Sequence, residues 1–229
     1  MKIGILLTGH VPPELIDKHG PYMEMFAKLL DGHDFTFTNY AVVDNEFPKS
    51  VEEMDGWLVT GSKHGSYEDL EWIPPLEAFI RESYAAGIPI IGICFGHQVM
   101  AQALGGKVEK FSGGWSIGRT DYALVGEDEK SLLAMHQDQV VQIPEDATVI
   151  ASNDFCANAG LAYKGSALSF QPHPEFSPEY AEDLIRMRAG VALPQELADD
   201  ALAKLNIPND SKEIADKMAG FFKENKQDR

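Results

Sequence analysis

Four short apolar runs constrain this chain more than any other feature. They span residues 2–8 (Lys-Ile-Gly-Ile-Leu-Leu-Thr), 57–60 (Trp-Leu-Val-Thr), 89–93 (Pro-Ile-Ile-Gly-Ile) and 168–171 (Leu-Ser-Phe-Gln). The first three do not alternate apolar with polar residues as a strand wet on one face would, and the fourth is short and follows a buried-type Ala167. Each reads as a strand covered on both faces, the environment of a parallel sheet. Such a sheet needs helices to cover it, and the intervening segments supply them. Residues 21–30 place Tyr22, Met25, Phe26, Leu29 and Leu30 at helical spacing, residues 76–86 are closed by Gly87, and residues 98–104 by Gly105 and Gly106. Residues 35–43 read as a further strand and 178–188 as a further helix. The βαβα rhythm predicts an α/β fold with a mostly parallel central sheet between helical layers.

Residues 107–167 change character. Short alternating pieces at 122–125, 140–143 and 148–151 predict a small antiparallel extension. After about residue 194 the chain is polar and helical, with Leu197, Ala201, Leu205, Ile214, Met218, Phe221 and Phe222 on apolar faces. With 229 residues in all, one core is expected: an α/β domain over 1–190 and a C-terminal helical tail, 191–229, packed on it.

Charge and cysteine content narrow the functional classes. With 36 acidic against 19 basic residues the formal net charge is −17, which would repel nucleic acid and anionic membranes. The first apolar run is too brief for a signal-peptide core or a membrane span, so a cytoplasmic location is expected. Neither cysteine, Cys94 or Cys156, has metal-ligand spacing around it or reads as half of a structural disulfide.

The stretch Gly92-Ile93-Cys94-Phe95-Gly96-His97-Gln98 lies where a buried strand gives way to a helix. A nucleophile raised on such a turn needs small neighbours, because strand and helix pass close together; glycine two residues either side of Cys94 satisfies this. The helix start and a nearby imidazolium would both favour the thiolate. Much later comes Gln171-Pro172-His173-Pro174-Glu175, a histidine restrained by proline on both sides with a carboxylate two residues on. Glu175 can set the ring's tautomer and stabilise its protonated form, which makes His173 the candidate base for Cys94. The remaining histidines share no metal spacing and read as surface or structural residues. After the strand at 57–60, the turn Gly61-Ser62 can present backbone N–H to a developing negative charge, and the N–H of Phe95 would complete an oxyanion hole.

Taken in order, Gly61-Ser62, Gly92 to Gln98, Met135-His136-Gln137-Asp138-Gln139-Val140 and Gln171 to Glu175 resemble class I glutamine amidotransferase domains. The likeness runs from about Lys2 to about Arg188. It extends to the stand-alone branch related to the γ-glutamyl peptidases and to the glutaminase domain of GMP synthase. It implies a flavodoxin-like three-layer sandwich. It also implies attack of the cysteine on a side-chain amide, a γ-glutamyl thioester, departure of ammonia or an amine, and hydrolysis. By the same likeness Gln98 would contact the glutamyl group, Ser116, Ile117 and Gly118 would offer backbone to its α-amino and α-carboxyl ends, and His136 would lie near the pocket. The first loop departs from the family, reading Thr60-Gly61-Ser62-Lys63 where Ser-Gly-Gly-Pro is common.

Three functions are open on the sequence. One is a stand-alone hydrolase of a small-molecule γ-glutamyl amide or peptide. Another is a glutaminase subunit delivering ammonia to a separate synthetase, since the chain carries no nucleotide-binding P-loop of its own. The third is a catalytically silent binding module that keeps the fold. None calls for a metal or an organic cofactor, and an oligomer is compatible with each.

Overall fold

The computed structural model describes residues 1–227. In chain order its strands and helices are β1 (Lys2–Leu6), α1 (Pro13–His19), α2 (Tyr22–Leu29), β2 (Thr36–Tyr40), β3 (Gly56–Val59), α3 (Ile73–Ala85), β4 (Ile90–Ile93), α4 (Phe95–Ala103), β5 (Lys107–Lys110), β6 (Ser116–Leu124), β7 (Lys130–His136), β8 (Asp138–Gln142), β9 (Ala147–Ser152), β10 (Gly160–Tyr163), β11 (Ala167–Phe170), α5 (Pro178–Arg188), α6 (Gln195–Leu202) and α7 (Ser211–Glu224).

Nine of the described strands form one sheet in the order β2-β1-β3-β4-β11-β10-β9-β6-β7, with β5 and β8 paired beside it. The first five run parallel and the last four continue the sheet antiparallel. The fold is thus a flavodoxin-like α/β sandwich. Strands β3, β4 and β11 are buried along their whole length, including Ser169 of β11, whose hydroxyl lies 2.8 Å from His97 Nδ1. Leu76, Phe79 and Ile80 of α3 join Val99 and Met100 of α4 against one face. Phe26 and Leu30, from α2 and its end, join Ile214, Met218 and Phe222 of α7 against the other.

Three local features go beyond the sequence reading. Residues 13–19 form α1, where proline at the first helical position presets the backbone; with only Leu15 buried, these roughly two turns show no apolar stripe to read. Strand β7 is buried over Ser131–His136 because it closes the antiparallel half against α5 and α6, a position set by tertiary packing. The C-terminal α7 is part of the main core, its Ile214 and Phe222 sharing a cluster with Ile3, Ile5 and Leu58. Among the described residues no helix is long and apolar enough to cross a membrane.

Candidate active site

The carboxyl ends of β1, β3, β4 and β11 meet at one edge of the sheet, where a doubly wound fold places its crevice. Cys94 ends β4 and immediately precedes α4, with φ 54° and ψ −102°, a conformation costing about 1–3 kcal/mol for a residue with a Cβ. The surroundings impose it. The Cys94 N–H is given to Phe170 O at 2.9 Å and the Gly96 N–H to Thr60 O at 3.1 Å, which ties the turn to both neighbouring strands. A Cβ at Gly96 would lie 2.2 Å from Val59 O, and one at Gly92 would lie 2.5 Å from the Gly96 backbone. Only glycine permits this crossing. The Phe95 N–H opens the helix and has no intrahelical acceptor.

His173 follows β11 and is held on several sides. Its backbone N–H donates to Leu133 O at 2.8 Å, its ring stacks on Phe176 at 4.0 Å between centroids, and Nδ1 lies 2.7 Å from Glu175 Oε1. The carboxylate can only accept, so Nδ1 carries a proton and Nε2 is the atom free to exchange one. The Glu175 side chain is 1% exposed. Burial alone would drag the His173 pKa down, but the Glu175 and Cys94 charges and their hydrogen bonds outweigh it and hold the imidazole well above its usual range. Cys94 and His173 converge on Gly61: a Cβ there would sit 2.9 Å from His173 Cε1 and 3.6 Å from Cys94 Cβ.

The Gly61 loop is pinned from behind. The Thr8 hydroxyl lies 2.9 Å from the carbonyl oxygens of both Thr60 and Gly61, and the Thr60 hydroxyl accepts the Thr8 N–H at 3.1 Å. In a trans peptide the N–H points opposite to the C=O, so holding the Gly61 carbonyl also fixes where the Ser62 N–H points.

Cys94 opens into a cavity of about 180 Å³ whose wall includes Ser62, Gln98, Trp115, Met135 and His136. Lys110, Glu68 and Asp138 bring opposite charges to the same small space. Gln98 is oriented by its Nε2, which donates to Asp138 O at 3.0 Å and Gln171 Oε1 at 3.1 Å. His136 Nδ1 donates to Asp138 O at 3.2 Å, which leaves Nε2 an acceptor, buried and without a partner among the described residues. Burial and the nearby His173 charge push His136 down to about 4, so it stays neutral. Beside β6 the residue in the wall is Trp115, immediately before the strand begins. Ser116 is paired with His136, Ile117 is packed with Leu133 and Leu184, and Gly118 faces Ala201 of α6.

Sequence reading missed Trp115, Lys110, Glu68, Asp138 and the supporting Thr8. Asp138 stands inside the motif that contains His136, a signal available in the sequence; Lys110 and Glu68 are ordinary surface-type residues until the fold brings them to Cys94. Cys156 lies elsewhere, buried, its thiol pushed up to about 12 by burial. His97 is wholly interior, with Nδ1 2.8 Å from Ser169 Oγ, and burial takes it down to about 3.

Comparison with known proteins places this chain in a family. The Glutamine amidotransferase class-I family matches residues 16–188. Gamma-glutamyl peptidase 4 of Arabidopsis thaliana is 30% identical over 203 residues, 82% of this chain and 81% of that protein. A glutamine-hydrolyzing GMP synthase subunit of Halobacterium salinarum is 29% identical over 170 residues, 70% of this chain and 87% of that one. In fold, a glutamine amidotransferase from Methylobacillus flagellatus superposes with a TM-score of 0.76 at 22% identity, covering 100% of this chain and 96% of that one. With a family match spanning most of the chain, and with the buried cysteine turn and its oriented histidine at the sheet's carboxyl edge, the protein belongs to the class I glutamine amidotransferases.

Proposed function

We propose that the protein hydrolyses a γ-glutamyl amide of a small molecule through a thioester on Cys94. The observation that carries this reading is the convergence of Cys94, His173 and Gly61 on one point, with Glu175 behind the histidine. Cys94 Sγ attacks the γ-carbonyl carbon, and the π electrons move onto oxygen. The N–H groups of Ser62 and Phe95, with Gly61 giving close approach, receive that negative charge. His173 Nε2, its proton retained by the Glu175 charge, gives the proton to the leaving nitrogen as the C–N bond breaks. Water then enters, loses a proton to His173 and attacks the thioester carbon; glutamate departs and the Cys94 thiolate is restored.

The glutamyl end fits the small charged cavity. Lys110 suits its α-carboxylate and Asp138 and Glu68 its α-ammonium, while Gln98 and His136 supply neutral hydrogen-bonding groups around the chain. The backbone of Ser116, Ile117 and Gly118 would act there only indirectly, by setting Trp115. Similarity to the γ-glutamyl peptidase over 82% of the chain supports activity without a partner. Similarity to the GMP synthase subunit supports a second reading, ammonia delivery to a separate synthetase. Purified protein assayed against glutamine and a panel of γ-glutamyl peptides, with Cys94→Ala as control, separates them. Turnover of one compound by the isolated chain, abolished in the variant, is expected. If the chain is inert alone and glutamine hydrolysis rises only with a synthetase present, the second reading replaces the first.

A further inference from the structure

A second cavity, of about 440 Å³, borders the same centre. Its wall contains His173 and Glu175 but not Cys94, whereas the charged cavity contains Cys94 but neither member of the His-Glu pair. Ser62, Lys63, His64, Met135 and Arg188 border both. The two spaces therefore divide along the bond to be cleaved. The acyl part must reach the sulfur, and the leaving nitrogen must reach the imidazole that protonates it.

The lining of the second space differs from the first. Val11, Pro12, Pro13, Val43, Leu184 and Met187 make most of it apolar. Ammonia is no larger than water, whose share of liquid volume is about 30 Å³, so a chamber more than ten times that size is not shaped for ammonia alone. At its border stand Lys63 and Arg188, neither of them in an ion pair among the described residues. An apolar wall with cations at one margin matches an amino acid that carries an apolar side chain and a free carboxylate.

Resting on the hydrolase reading above, we propose that this cavity is the leaving-group subsite and that the substrate class is γ-glutamyl amino acids with apolar side chains. The side chain lies among Val11, Pro12, Val43 and Met187, and its carboxylate faces Lys63 and Arg188. Cleavage releases the apolar amino acid with its nitrogen protonated by His173.

The test compares kcat/KM of the full chain for γ-glutamyl-leucine, γ-glutamyl-glycine and glutamine. Extra methylenes in an apolar site are worth about tenfold or more, so γ-glutamyl-leucine should exceed γ-glutamyl-glycine by at least that factor. Met187→Glu, at a position 37% exposed where the new carboxylate need not be buried, should lower the leucine-to-glycine ratio about fivefold or more by placing a negative charge beside the apolar wall. Equal turnover of leucine and glycine compounds, or an unchanged ratio in Met187→Glu, would overturn the subsite while leaving the hydrolase intact. Turnover of none of the three would overturn the hydrolase reading and the subsite with it.

Discussion

Replacing Gly61 by alanine tests how closely the oxyanion loop is fitted to the base. The added methyl would lie 2.9 Å from His173 Cε1, whereas carbon atoms in ordinary contact stand about 3.5 Å apart or more. Something must move by roughly half an ångström. The imidazole cannot easily do so, stacked on Phe176 at 4.0 Å and tied to Glu175 at 2.7 Å. The loop is the softer side, although Thr8 holds its carbonyls at 2.9 Å. Displacing it moves the Ser62 N–H away from where the oxyanion forms. A misplacement of about 1 Å costs on the order of 10²-fold, and loss of an oxyanion donor about 10²–10³-fold; we expect kcat/KM to fall by about 10²-fold. Overpacking of about 1–3 kcal/mol should lower Tm by roughly 2–12 °C, so the variant stays folded at 25 °C. Steady-state kinetics on the best γ-glutamyl compound, alongside a melting curve, give both values. Gly220→Ala, where an added Cβ meets nothing within 4 Å, is the control that should keep full activity. A folded Gly61→Ala enzyme with more than a third of wild-type kcat/KM would refute the argument.

Glu175→Gln removes the charge that offsets burial at His173, so the imidazole pKa, followed by NMR, should drop below its ordinary value; an unchanged titration would mean that Glu175 does not set it. Because the folded pKa of His173 is raised, its contribution to stability is complete below the unfolded value near 6.5 and is lost as pH rises through the folded value. The stability advantage of wild type over Glu175→Gln should therefore shrink toward alkaline pH, as urea midpoints would record. A γ-glutamyl chloroketone should alkylate Cys94 and spare Cys156, which is buried with its thiol held up near 12; equal labelling by mass spectrometry contradicts the assignment. Phe222→Ala should cost about 3–5 kcal/mol, because α7 lies in the main core; a loss under about 1 kcal/mol would show that the C-terminal helix is dispensable packing.

Much of the site was legible in local sequence because each part needs a special backbone. A cysteine between two glycines after an apolar run has few structural explanations, and a histidine between prolines with a nearby acid has few others. What was not legible shares one cause, that its meaning is non-local. Helix α1 buries only Leu15, so it leaves no periodic trace. Trp115 in the cavity wall left no trace in the sequence, because the pairing of β6 with β7 sets which residue clears the edge.

The chain alone, through its runs of apolar residues and the glycines that stop them, dictated a parallel sheet under helices and a strained cysteine at a strand's end. Those are short-range consequences of burial and backbone sterics. Bringing His173 to Cys94 across 79 residues, gathering Lys110, Glu68 and Asp138 into one charged cavity, and opening an apolar one behind the histidine were decided by tertiary packing. A cavity exists only between elements, so no single element's sequence can encode its shape or its charge.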